Sequence, residues 1–257
     1  MTPTSTLYDA IAPIYDEWQT WNGMTPFARV AAAKLAPLLD REAGAAARAG
    51  RDHLALLDVG CGTGTLLLDV RRTHPSWRLA GVDASAGMLA AARAKQAAPG
   101  DVIWARANIV GPLPFASTFD VCTSLYDTLN HLPDAGALAR AFAAVAAALR
   151  PGGLLVFDVT SRHGFEQWWE SSNRFRGKGW SMLVEASFDP DREIATGDVT
   201  LEREGVTRRF EIKERYFGPE AVAAALDAAG FTVEHEEAWS PFPIGGLGKS
   251  WWVARRR

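Results

Sequence analysis

Leu56-Leu57-Asp58-Val59-Gly60-Cys61-Gly62-Thr63-Gly64 decides the reading of this chain. The apolar run over 54–59 suits a buried parallel strand. It ends in alternating glycines, and a helical run follows. Strand, Gly-x-Gly-x-Gly, helix is a nucleotide-binding arrangement. Glycine lets the backbone turn tightly and approach a ligand with no Cβ in the way.

Working outward, Leu79-Ala-Gly-Val-Asp83 reads as a second strand, with Asp83 at its end. A carboxylate there can accept hydrogen bonds from both ribose hydroxyls of an adenosine. A dinucleotide fingerprint, GxGxxG, would need glycine where Thr65 stands; the third glycine comes one residue early, at Gly64. Asp58 precedes the first glycine, where it could meet a ligand amino group or orient the loop. Both features disfavour NAD. No GxxxxGK[ST] is present, which excludes a P-loop.

Strands and helices keep alternating. A helix is expected over 86–97, strands over 101–105, 119–124 and 154–159, and a helix over 135–149. Pro151-Gly152-Gly153 reads as a turn before the last of these strands. An Ala-rich helix is expected over 26–49. Residues 160–217 break the rhythm. Strands over 180–188, 194–203 and 207–216, separated by Asp189-Pro190-Asp191 and Glu204-Gly205, read as an antiparallel insertion. A helix over 218–229 and strands over 231–237 and 250–255 close the chain. The fold class is α/β: a Rossmann-like, seven-stranded, mostly parallel sheet with one antiparallel strand and helices on both faces. The division expected is an N-terminal helical lid over 1–50, a nucleotide-binding core over 51–160, a β cap over 161–217, and closing elements over 218–257.

The chain has 257 residues, 48% hydrophobic and 22% charged, with formal net charge −3. That balance gives no electrostatic case for nucleic acid or an anionic membrane. Residues 1–6 lack a basic region followed by an apolar run, so no signal peptide is expected. No apolar stretch reaches the roughly 18 residues of a membrane span. Cys61 and Cys122 make neither a disulfide scaffold nor a CxxC site, and the five histidines show no HxxxH spacing. The expectation is a cytoplasmic protein with no metal.

Further motifs carry a family resemblance. Leu57-Asp58-Val59-Gly60-Cys61-Gly62-Thr63-Gly64 resembles the first motif of class I S-adenosylmethionine (SAM) dependent methyltransferases. Gly81-Val82-Asp83-Ala84-Ser85 with Met88 resembles the ribose-binding strand end. Ala107-Asn108-Ile109 resembles the adenine-contacting turn. Leu113-Pro114-Phe115 with Phe119-Asp120-Val121, and Leu149-Arg150-Pro151-Gly152-Gly153, resemble the segments leading into strands four and five. The match covers roughly residues 54–160 in order. It implies SAM as cofactor, held by Tyr15, Asp58, Gly60, Gly62, Gly64, Asp83, Ala84, Met88, Asn108, Ile109, Ser124 and Leu125. The family often has Asp where Asn108 stands; its carboxamide oxygen can still accept from the adenine amino group.

In open parallel sheets, ligands bind outside the carboxyl ends of the strands. The polar segment Ser124-Leu-Tyr-Asp-Thr-Leu-Asn-His131 after strand four therefore faces the reacting methyl. This segment, with Tyr8-Asp9 and Tyr15-Asp16, resembles a small-molecule subgroup. It includes sugar N-methyltransferases of antibiotic biosynthesis and glycine or sarcosine N-methyltransferases. By position His131 and Tyr15 match that subgroup's site best, with Tyr8 close behind; Tyr126 of the polar segment is a further catalytic candidate, and His131, then His163, is the candidate general base for a phenol or hydroxyl acceptor. Acceptor contacts are expected from Tyr8, Trp18, Trp21, Asp127, Asn130, His163, Trp168 and Trp180. Trp169 and Trp239 also belong to the aromatic set, and Arg162 and Arg174 could hold an acidic acceptor. The partner expected is a small-molecule methyl acceptor, and a homodimer is compatible with the sequence. The alternatives are an RNA or protein methyltransferase and a non-catalytic SAM-binding sensor.

Overall fold

The computed structural model describes residues 4–20, 25–98, 100–241 and 248–257. It opens with helices α1 (Thr4–Ile11), α2 (Tyr15–Gln19) and α3 (Phe27–Arg48), with a short 3-10 turn over Ala12–Ile14 between the first two. The Rossmann-like unit follows: β1 (Ala55–Val59), α4 (Thr65–Thr73), β2 (Arg78–Asp83), α5 (Ala86–Lys95), β3 (Ile103–Arg106), β4 (Phe119–Ser124), α6 (Ala135–Ala148) and β5 (Leu149–Thr160). Next come α7 (Arg162–Trp168), strands β6 (Ser171–Gly177), β7 (Trp180–Asp189), β8 (Ile194–Arg203) and β9 (Val206–Arg215), then α8 (Pro219–Ala228), β10 (Phe231–Trp239) and β11 (Lys249–Arg256).

Seven strands form one sheet in the order β3-β2-β1-β4-β5-β11-β10. β11 runs antiparallel to both β5 and β10, while the pairs from β3 to β5 are parallel. This is the mostly parallel sheet with one antiparallel strand that the alternation predicts. β1 is buried along its whole length because both faces are covered. Successive residues point to opposite faces. Leu56 joins Leu35, Leu39, Leu67 and Leu89 from α3, α4 and α5. Leu57 joins Leu138, Phe142, Val222 and Leu226 from α6 and α8.

A separate antiparallel sheet has the order β6-β7-β8-β9. Its inner face packs Trp180, Met182, Val199 and Leu201 against Leu7, Ile11 and Ile14 of the N-terminal segment, together with Met88 of α5. The sequence predicts three strands here, and the structure adds a fourth, β6. Ser171-Ser-Asn-Arg-Phe-Arg-Gly177 is polar because β6 is an edge strand, and Phe175 is its one inward apolar ring. The structure adds helix α7 as well. It is short, and its N-cap Ser161 accepts from the Gly164 amide at 3.1 Å. β5 also begins earlier than expected. Residues 149–153 continue the strand through an irregularity, because Leu149 pairs with Phe119 before the main register resumes at Val121–Leu154.

The turn after β4 is fixed from below by a buried ion cluster. Tyr126 (φ 59°) and Asp127 (φ 61°) are both left-handed, a conformation that costs non-glycine residues free energy. The Tyr126 amide donates to Asp158 Oδ2 of β5 at 2.7 Å. Lys249 of β11, 1% exposed, donates to Asp158 Oδ1 at 2.8 Å and also to Asp127. Burial alone would pull the Lys249 pKa down; the two carboxylates reverse this and hold the ammonium charged. Burial likewise works to raise the Asp127 carboxyl, but Lys249 outweighs it and keeps that carboxyl below the usual carboxylate range. Removing one partner of such a cluster leaves buried charge uncompensated. Lys249→Met is therefore expected to destabilise the fold by about 3–5 kcal/mol, measured by urea unfolding. The combined Lys249→Met/Asp127→Asn/Asp158→Asn variant should recover a large part of that loss; no recovery would show that the lysine stem, not its charge, carries the effect.

Candidate active site

The site lies at the carboxyl ends of the parallel strands. After β1 the backbone turns through Gly60 (φ 76°), Gly62 (φ 52°) and Gly64 (φ 76°), left-handed values that favour glycine. A Cβ on Gly60 would collide with the Thr128 side chain, and one on Gly64 with the Trp104 ring. A Cβ on Gly62 would meet nothing within 4 Å. The Gly62 amide donates to Asp83 Oδ2 at 2.9 Å, and the Ser85 amide to Asp83 Oδ1 at 2.8 Å. Asp83 thus ties the glycine turn to the start of α5. Burial raises its pKa, and those two amides partly offset the rise.

Asp58 is 5% exposed and accepts from Thr123 Oγ1 at 2.7 Å. Burial pushes its carboxyl up to about 7, against the opposing hydrogen bond from Thr123. A carboxyl that ionises near neutrality beside a ligand space responds strongly to an arriving cation.

The N-terminal segment roofs this turn. Asp9 Oδ1 of α1 accepts from Ser85 Oγ at 2.5 Å and from the Gly87 amide at 2.8 Å, at the positive N-terminal end of α5. Gly87 is required there, since a Cβ would stand 2.9 Å from Asp9 Cα. Asp16 of α2 accepts from Thr63 Oγ1 at 2.6 Å and from Lys95 Nζ at 2.6 Å. Glu17 accepts from Trp180 Nε1 at 2.9 Å, joining the same helix to the four-stranded sheet.

These elements enclose a cavity of about 780 Å³. Its walls include Ala107, Asn108, Ile109, Val110 and Leu132; Asp58, Gly60, Gly62, Asp83, Ala84 and Met88; and Tyr8, Tyr15, Gln19, Phe27, Leu125, Tyr126 and His131. Tyr126 stacks on Phe27 with ring centroids 4.5 Å apart, and its hydroxyl accepts from Gln19 Nε2 at 3.0 Å. Burial pushes the Tyr126 phenol up to about 12. Tyr8 Oη lies 2.8 Å from His131 Nε2. His131 Nδ1 faces the Lys213 carbonyl oxygen at 3.3 Å. That oxygen only accepts, so Nδ1 carries the ring proton and Nε2 receives the Tyr8 hydroxyl. Burial lowers the His131 pKa, with Asp127 opposing, and the ring is neutral at physiological pH.

Several expected contacts stand elsewhere. Gly64 caps α4 and packs on Trp104. Ser124 is buried in β4 with its hydroxyl unpartnered, off the cavity wall. Asp127 is committed to Lys249 and Thr160. Asn130 is spent on the fold: its Nδ2 donates to the Arg215 carbonyl at 2.8 Å and its Oδ1 accepts the Thr160 amide at 2.9 Å. Trp18 packs edge-on against Tyr15 and Phe175, and Trp180 packs inside the small sheet. His163 and Arg162 are exposed on α7, and Arg174 is exposed on β6. Trp168 packs near Gly248, Trp169 beside Phe165, and Trp239 against Phe27 and Trp251. Trp21 lies outside the described residues. Asp9, Asp16, Gln19 and Phe27 escaped the sequence reading, although the repeated Tyr-Asp pairs at 8–9 and 15–16 held the signal for the two acids.

Among the described residues no group of three or more His, Cys, Asp or Glu side chains could hold a metal ion, and no helix is long and apolar enough to cross a membrane. Residues 56–153 match the family model for a methyltransferase domain. A Geobacillus (strain WCH70) protein that carries a methyltransferase name is 38% identical over 108 residues, 42% of this chain and 43% of that protein. The chain thus aligns with less than half the length of that curated relative. Among solved structures, the CcbJ methyltransferase of Streptomyces caelestis superposes with TM-score 0.75 at 21% identity, covering 99% of both chains. A SAM-bound amino pentose methyltransferase of calicheamicin biosynthesis, from Micromonospora echinaspora, is 26% identical with TM-score 0.60, over 88% of this chain and 91% of the other. The methyltransferase-domain match over residues 56–153 and the fold shared with these structures make this chain similar to SAM-dependent methyltransferases.

Proposed function

We propose that this chain transfers the methyl group of SAM to a small-molecule acceptor at nitrogen or oxygen. The observation that carries the reading is the continuity of the cavity. One space runs from Asn108 and Asp83 past the glycine turn to Tyr8, Tyr15, Tyr126 and His131. Its volume falls within the range of small-molecule sites. In the proposed arrangement Asn108 and Ile109 hold the adenine, Asp83 the ribose, and Asp58 with the glycine turn the aminoacid end. The sulfonium methyl then points toward the tyrosines.

Methyl transfer is an in-line displacement, so the protein's work is to align nucleophile, methyl and sulfur and to exclude water. The roof made by α1 and α2 does both. It is bonded to the floor through Asp9 and Asp16, so a macromolecular acceptor would have to displace it. That favours a small acceptor, as does the amino pentose substrate named for the Micromonospora echinaspora relative. We also place the protein in the cytoplasm, in keeping with two free, buried cysteines.

The test has two parts. Asp83→Ala should weaken SAM by about 1.5–3 kcal/mol, the scale of a hydrogen bond to a charged group, measured by calorimetry; unchanged affinity would remove Asp83 from the ribose site. Methyl transfer should be detectable on at least one member of a panel of small amines, amino sugars and phenols. Tight SAM binding with no turnover on any of them would favour a sensor.

A further inference from the structure

Glu214 stands on the inner face of β9, opposite Ala195, and is 6% exposed. Its Oε1 lies 3.7 Å from His131 Nε2. Its Oε2 is buried with no hydrogen-bond partner among the described residues. A dry, unpaired carboxylate oxygen is costly, so the fold alone does not account for it. The groups that face the His131 ring come from every element around it: Tyr8 from α1, Asp127 from the turn after β4, Glu214 from β9 and Lys249 from β11. Asp127 is already engaged by Lys249 and Thr160. Glu214 is the carboxylate beside this ring that is left uncommitted.

We propose that Glu214 is a positioning residue that acts through His131, and that the two together take up the proton an N–H or O–H acceptor loses on methylation. This rests on the methyl-transfer reading given above. In the step, the acceptor heteroatom's lone pair forms the new bond to the methyl carbon. The carbon–sulfur bond breaks and its electron pair stays on sulfur as the thioether. The acceptor's proton passes to His131 Nε2, on the cavity wall, and Tyr8 turns from donor to acceptor toward that nitrogen. The imidazolium so formed faces the Glu214 carboxylate, which touches no ligand itself. Burial raises the Glu214 carboxyl, and an imidazolium formed beside it draws that carboxyl back toward its ionised form, so the two titrations are coupled. An acceptor with no proton to shed gains nothing from this arrangement.

The ring nitrogens of His131 report on the pair without any acceptor. The full chain, labelled with ¹⁵N-histidine, is titrated by NMR as wild type, Glu214→Gln and Glu214→Asp, with His131→Gln to assign the signals. Glu214→Gln should move the His131 protonation midpoint down by about one pH unit or more, the size expected on losing a nearby opposite charge. Glu214→Asp, with its carboxylate drawn back by one methylene, should move it part of the way. A Glu214→Gln midpoint equal to wild type, or higher, overturns the proposal. Should that variant fail to fold, a Glu214→Asp midpoint equal to wild type does the same. S-adenosylhomocysteine is titrated into the same wild-type sample. Failure to bind there refutes the methyltransferase reading and leaves the His131 titration to decide the role of Glu214.

Discussion

The left-handed backbone after β1 is the constraint on which this structure depends. Gly60, Gly62 and Gly64 all hold positive φ, and Thr128 and Trp104 occupy the space a side chain would need at the first and third. The turn stays open because Asp83 takes the Gly62 amide. The same carboxylate takes the Ser85 amide, so it joins the ends of β1 and β2 to the start of α5. Asp9 and Asp16 then fasten α1 and α2 onto these elements. The floor of the cavity is a product of the sheet; the roof is a product of two carboxylates on the N-terminal segment.

Burial raises the pKa values of Asp58, Asp83, Asp158 and Glu214. Among the described residues the buried cation is Lys249. A cation arriving beside such carboxyls favours their ionised forms. A sulfonium with an α-ammonium group has the charge that the arrangement lacks. Tyr15, Phe27 and Tyr126 line the same cavity.

The core was legible in the sequence because its signals are local. An apolar strand, a glycine turn and an acid at the next strand end lie within thirty residues of one another, and β1, β4 and α6 fall where periodicity puts them. The turn after β4 was legible as a polar interruption, and Tyr8, Tyr15, Tyr126 and His131 do meet in one cavity. What the sequence hid depends on pairing across long separations. Lys249 carries no local signal; only the pairing of β11 lays it beside Asp127 and Asp158. Glu214 sits between Lys213 and Arg215 in the sequence, and only the small sheet turns it inward. Asn130, polar and adjacent to His131, reads as a ligand contact but is consumed by two backbone groups. Trp180 and Trp18 read as pocket walls, yet they fill the joint between the cap sheet and the roof.

The central claim is that the cavity beside Asp58 receives the cationic aminoacid end of SAM. Free Asp58 ionises at about 7, and a cation beside it favours the ionised form, so binding lowers that value. Below pH 7 binding must then expel a proton, and affinity rises as pH climbs toward neutrality and levels off above it. Isothermal titration of SAM at pH 6 and pH 8, in buffers of different ionisation enthalpy, measures both quantities at once. The account predicts release of close to one proton at pH 6, little at pH 8, and binding about tenfold weaker at the lower pH, the change one linked proton allows over one unit below its pKa. Equal affinities with no proton release at either pH would contradict it.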